Sequence, residues 1–122
     1  METKDGKQAI YAETRKEWRK WLKQNNQTEK SVWLILYHKK SQVQCISISD
    51  AMEEAICFGW IDSLAKKRDA ESFYLTFTPR NPKSNWSKIN KERAAAMIEK
   101  GLMTQHGQRL IDIAKNSGKW FV

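Results

Sequence analysis

Apolar residues recur at helical spacing along some stretches of the chain and alternate along others, and the change of period marks out its elements. Thr14 followed by Glu17 forms a capping box, after which Trp18, Trp21 and Leu22, with Tyr11 ahead of them, lie on one helical face before Asn25-Asn26 stops the run. The first element predicted is therefore a helix, and its opposite face of Arg15, Lys16, Arg19, Lys20 and Lys23 reads as a solvated surface. Residues 31–38 (SVWLILYH) are apolar on both alternating faces, the pattern of a central strand covered on both sides. After a polar loop, Ser49 or Asp50 can cap a helix whose Met52, Ala55 and Ile56 share a face, and Gly59 supplies its stop.

Residues 60–65 then read as a strand, residues 66–71 as a charged turn, and Phe73, Leu75 and Phe77 alternate with Tyr74, Thr76 and Thr78 as a half-buried strand, together a hairpin. Pro79 removes a ladder donor and ends that strand, and Pro82 keeps the loop extended until Ser84 or Asn85 caps a helix running to about Lys100. Gly101 ends it, Thr104 begins another helix carrying Leu110, Ile111, Ile113 and Ala114, and Gly118 closes that one before Trp120. The expected fold is a single α+β domain over residues 1–122, a small sheet of about three strands with helices packed against it, in the order helix, strand, helix, strand, strand, helix, helix.

Composition agrees with one folded core: 122 residues, 40% hydrophobic and 30% charged. The longest apolar stretch, Val32 to Tyr37, is far shorter than the ~20 residues of a membrane-spanning helix. The opening METKDGKQ lacks the apolar core of a signal peptide, so a cytoplasmic location away from membranes is expected. Cys45 and Cys57 form no Cys-x-x-Cys pair and have no histidine at ligand spacing, which reads as two reduced structural thiols, with no metal and no cofactor implied. The net charge of +8, from 22 basic and 14 acidic residues, changes the picture more, because it favours encounter with polyanions.

Two stretches carry candidate chemistry. In residues 57–63 (CFGWIDS), Trp60 and Asp62 lie two apart on one strand and project to the same side, an aromatic wall beside a carboxylate that Lys66 or Arg80 could pair. Residues 78–93 hold Arg80, Lys83, Lys88, Lys91 and Arg93 against the single acid Glu92. A loop entering a helix N-terminus exposes unpaired backbone N–H groups, so Ser84, Ser87 and the flanking cations could hold an anion, with Arg80 in bidentate fashion and Lys83 as a point charge. Trp86, Asn90 and Arg93 fall on one helical face, where an indole beside an amide and a guanidinium suits a base or sugar ring. The bland use of each residue stands beside this one: Ser84 as a cap, Trp86 and Trp60 as core, Asp62 as half of a structural ion pair.

At these same positions the chain resembles the YdeI/OmpD-associated family of bacterial proteins, also labelled bacteriocin-protection proteins. The resemblance runs over residues 17–120 through EWRKWLKQN, VWLILYHKK, EEAICFGWID, FTPRNPKSNWSKIN, GLM and AKNSGKW. It implies attention to Lys39, Lys40, Gly59, Trp60, Asp62, Lys66, Asp69, Pro79, Arg80, Lys83, Ser84, Trp86, Ser87 and Asn90, and a link to envelope stress or bacteriocin protection rather than a reaction. Thr104-Gln105-His106-Gly107 replaces the family's Pro-containing turn, and the chain stops at Val122 without the basic extension common in that family. The surface such an extension would cover is then open to self-association, as in a homo-oligomer.

The leading expectation is a binding module that holds nucleic acid or a phosphorylated small molecule at Arg80, Lys83, Ser84, Ser87, Asn90 and Arg93, walled by Trp60, Asp62, Lys66 and Trp86. No Gly-rich phosphate loop, nucleophile elbow or histidine-carboxylate metal motif is present. An enzyme using Asp62 with Arg80 or Lys83 is therefore the weaker alternative. A protein-interaction module anchored by exposed tryptophans is the third.

Overall fold

The computed structural model describes residues 2–120, so the end of the chain at Val122 lies outside the described residues. The elements run β1 (Thr3–Lys4), β2 (Lys7–Tyr11), α1 (Arg15–Asn25), β3 (Val32–Tyr37), α2 (Ile48–Cys57), β4 (Trp60–Lys67), β5 (Ser72–Pro79), α3 (Lys88–Glu99) and α4 (Gln105–Asn116). The class is α+β, with four helices among the described residues, but the sheet that these residues form has five strands in the order β1-β2-β3-β5-β4. This overturns the expected sheet of about three strands and the expected order beginning with a helix. The missed strand β2 has only Ala9 and Ile10 as apolar residues ahead of Tyr11, too few to register as alternation. Its partner makes it a strand: β2 runs parallel to β3, with Ala9 opposite Trp33 and Tyr11 opposite Ile35. Tyr11 thus belongs to the sheet and not to the apolar face of α1. The remaining pairs, β1 with β2, β3 with β5 and β5 with β4, are antiparallel.

Hydroxyl caps start every helix. Thr14 Oγ1 accepts from Glu17 N, and the Glu17 carboxylate reaches back to Glu13 N at 2.7 Å, a capping box displaced by one residue. α4 starts at Thr104 as expected, whereas α2 is capped by Ser47 and α3 by Ser87. Ser84 cannot serve α3, since its N–H and hydroxyl are both spent on the Asn81 carbonyl at 3.0 and 2.8 Å.

One face of the sheet carries the main core. Val32, Leu34 and Leu36 of β3 with Leu75 and Phe77 of β5 pack against Trp18 and Leu22 of α1 and Ala51 and Ala55 of α2. α2 occupies the middle of the helical layer, touching α1, α3 and α4. Its crossing with α4 is close: a Cβ at Gly107 would stand 2.5 Å from the Cys57 carbonyl oxygen. A second cluster, Ile56, Trp86, Ala94, Ile111 and Ala114, fills the space among α2, α3 and α4.

The basic face of α1 is not merely solvated. Arg15 donates through Nε and Nη2 to Glu54 Oε2 at 2.9 and 2.7 Å, Arg19 donates to Glu54 Oε1 at 2.8 Å, and Arg19 also holds the Leu102 carbonyl at 2.8 Å. Glu54 is buried, so the two guanidinium groups supply the hydrogen bonds its charge needs away from water.

The other face carries Ala9, Trp33, Ile35 and Tyr74, a cluster containing no helical residue. Residues 2–6 fold across it as a strap. The Trp33 indole donates to the Lys4 carbonyl at 2.9 Å, the Glu2 carboxylate accepts from Arg68 Nε and Nη2 at 2.8 Å each and from the Tyr74 hydroxyl, and the Asp5 carboxylate accepts from Lys66 at 2.8 Å.

Hydrogen bonds from Arg68 and Tyr74 hold the Glu2 carboxyl down to about 2 against an ordinary 4.5. Because the folded value is the lower one, this contribution is complete above the unfolded value and is lost as pH falls through the folded one. The strap is expected to loosen between pH 4.5 and about 2. Hydrogen exchange at the Ala9 amide, which donates to the Glu2 carbonyl, should accelerate over that window beyond the intrinsic rate, and Glu2→Gln should reduce the pH dependence to the part that the Lys66-bonded Asp5 carboxylate contributes.

Candidate functional site

The segment that links β5 to α3 begins where Pro79 ends the strand opposite Trp60. The Arg80 N–H donates to the Gly59 carbonyl at 2.8 Å, which anchors the chain before it leaves the sheet. Asn81 then builds a turn, its Oδ1 accepting from Lys83 N at 2.9 Å and its carbonyl accepting from Ser84. The segment closes on Trp86, whose N–H donates to the Lys119 carbonyl at 3.1 Å and whose ring lies 5.1 Å from that of Trp120. Ser87 follows as the cap of α3, a helix with no acidic residue in its first turn, so its positive end is not neutralised locally.

Arg80 is the unusual member. Its side chain turns inward, and the residue is 6% exposed. Nη2 donates to the Asn85 carbonyl at 2.8 Å, and the guanidinium lies over the Trp86 ring with Cζ 3.8 Å from the centroid. Nε and Nη1 are buried and have no hydrogen-bond partner among the described residues, and no carboxylate among them lies within ion-pair distance. Burial pushes its pKa down to about 10, which still leaves it charged at neutral pH. A cation stripped of water, with two donors unspent, attracts an oxyanion far more strongly than a solvated lysine does.

The other expected residues divide into three groups. Ser84, Ser87 and Asn90 sit on the same segment, but their side-chain oxygens are engaged internally: Ser84 with Asn81, Ser87 with the Asn90 N–H at 3.2 Å, and Asn90 Oδ1 with Arg93 Nη1 at 3.2 Å. Lys83 is exposed and has no acidic partner among the described residues, and Trp86 is both core and floor, buried in the second cluster while stacked under Arg80. Trp60 and Lys66 stand elsewhere. Trp60 is 1% exposed, its indole donating to the Asn26 carbonyl at 3.1 Å, so its ring is core and offers no wall. Lys66 pairs with Asp5 and lies opposite Tyr74, on the helix-free face, because the bulge between Asp62 and Ala65 shifts the register of β4. Asp62, opposite Phe77, is half-buried and pairs with neither Lys66 nor Arg80 among the described residues. Both thiols are free, and burial pushes Cys45 and Cys57 up.

The sequence does not mark the stacking of Arg80 on Trp86. The signal it offers is an arginine between two prolines with a tryptophan six positions on, which fixes neither burial nor direction. Arg68 reads only as part of a charged turn, because its partner Glu2 is remote in sequence.

A model of the family described as Domain of unknown function (DUF8412) matches residues 10–110, and the chain belongs to that family. No curated protein and no solved structure matches it. No helix among the described residues is long and apolar enough to cross a membrane.

A buried charge without a counter-ion costs stability that an apolar side chain of similar length does not. Arg80→Met is therefore expected to keep or raise the thermal midpoint. Arg80→Ala, which empties the space over Trp86, should lower stability by about 1–3 kcal/mol. Thermal and urea denaturation of both variants check this, and a large loss in the methionine variant would show that the guanidinium is held for stability.

Proposed function

We propose that this DUF8412 domain is a binding module for phosphate-bearing ligands, nucleic acid or a phosphorylated small molecule, at the segment from Pro79 to Arg93. The observation that carries the reading is the Arg80 guanidinium, buried and charged with two donors unpaired among the described residues. Exposed Lys83 and Lys88 and the uncompensated start of α3 supply the outer field that would draw an anion to the loop. Nε and Nη1 are buried, so a ligand meets them only where the packing over Arg80 opens, and an outward movement of residues 81–86 would break the bond from Arg80 to the Asn85 carbonyl and that from Trp86 to the Lys119 carbonyl. The resemblance to YdeI/OmpD-associated proteins attaches this binding to envelope stress or bacteriocin protection.

The other two readings lack an observation of their own. Asp62 and Arg80 form no ion pair, which leaves an acid–base role without its geometry. Of the six tryptophans, Trp18, Trp33, Trp60 and Trp86 are buried and Trp21 and Trp120 are half-buried, so exposed indole anchors for a protein partner are missing.

Fluorescence anisotropy of labelled single- and double-stranded DNA and RNA across a salt series, beside an Arg80→Ala/Lys83→Ala variant, tests the nucleic-acid form. Affinity should fall with salt through counter-ion release and fall further in the variant. The small-molecule form predicts instead a thermal upshift with nucleotides or inorganic phosphate, absent in the variant. Binding that the variant leaves unchanged in both assays would remove this site.

A further inference from the structure

The helix-free face of the sheet is a second place where this chain covers cations with its own groups. The Trp33 and Tyr74 rings lie side by side there with centroids 5.8 Å apart, and Tyr11 and Tyr37 meet edge to face at 5.9 Å farther along. Lys66 stands 5.9 Å from the Trp33 ring centroid, and Arg68 reaches the Tyr37 hydroxyl at 3.4 Å. Rings on a sheet with cations at their margin suit a single-stranded nucleic acid, because bases stack on side-chain rings and phosphates pair with the cations.

The strap opposes this. Glu2 grips Arg68 with both carboxylate oxygens in the fork geometry that a phosphate would adopt, and Asp5 takes Lys66. Both carboxylates come from one short segment that is tied to the sheet by the two-residue pairing of β1 with β2 and a few side-chain bonds. We propose that residues 2–6 are an acidic strap occupying in cis a binding surface for single-stranded nucleic acid, in which Trp33 and Tyr74 stack bases and Lys66 and Arg68 hold phosphates.

This surface is separate from the Arg80 loop, and its test is run in the Arg80→Met background so that the two are distinguishable. A labelled single-stranded oligothymidine is titrated against the chain with an intact strap and against Glu2→Gln/Asp5→Asn, which keeps the backbone pairing of β1 with β2 while removing both carboxylates. The strap variant should bind about tenfold tighter, the gain expected from exposing one stacking ring. Adding Lys66→Ala/Arg68→Ala should erase that gain. Circular dichroism accompanies each variant. Unchanged affinity in a folded strap variant overturns the proposal, as does a gain that survives loss of Lys66 and Arg68. An equal gain for duplex DNA, which offers no unstacked base, also overturns it. Unfolding of the strap variant would make residues 2–6 an integral part of the fold and refute a displaceable strap.

Discussion

A five-stranded sheet has two faces to keep from water, and this chain spends its helices on one of them. That asymmetry governs the rest. On the helical side the layer closes around α2, where alanines such as Ala51, Ala55, Ala94 and Ala114 let the backbones approach and Trp86 fills the gap left among α2, α3 and α4. On the other side the aromatic residues of β3 and β5 have, among the described residues, the short segment 2–6 above them, and so small a strap cannot bury them by area alone. Charge makes up the difference: a bidentate carboxylate–guanidinium pair and a lysine–carboxylate pair fasten what hydrophobic burial leaves loose. Both pairs are partly exposed, so each contributes modestly and yields to acid or salt.

Arginines show where this chain has resolved its electrostatics and where it has not. Arg15 and Arg19 share the buried Glu54, and Arg68 has Glu2. Arg80, the most buried of the four, has a backbone carbonyl and the face of an indole. An indole face attracts a cation without offering the lone pairs that Nε and Nη1 would need as partners. The local logic of the fold is thus satisfied everywhere in this set but at one position, and such a position is where function is to be sought.

Features encoded by neighbours in sequence were legible. The strand at β3, the hairpin of β4 and β5, the box at Thr14 and Glu17 and the cap at Thr104 all depend on residues within a few positions of each other. What was missed depends on distant partners. β2 is too polar to announce itself and exists through parallel pairing with β3 across α1. Ser84 and Ser87 are equally good caps by type, and only the turn at Asn81 decides between them. At the site, the sequence grouped Lys66 with Asp62 and Arg80, yet one bulge sends Lys66 to the opposite face. It marked Arg80 as a bidentate grip on an anion without fixing its direction, and the side chain is buried over Trp86, whose own place is set by the packing of α2, α3 and α4.

The two places where cations are covered differ in what covers them, and that difference sets their response to salt. Arg80 is closed off by a neutral carbonyl and a ring, a closure that ions do not weaken, so a polyanion bound there loses affinity with salt in full proportion to the phosphates it has neutralised. Arg68 and Lys66 are closed off by carboxylates. Salt screens that closure as well as the phosphate pairing that replaces it, and the two effects oppose. Every phosphate that pairs with a cation on the sheet face displaces a carboxylate already neutralising it, so the net charge neutralised is small and the salt slope shallow. On the proposed sheet-face surface, an exchange of this kind would select for what a carboxylate lacks, the stacked base, and would let a surface of general positive charge discriminate single strands from other polyanions.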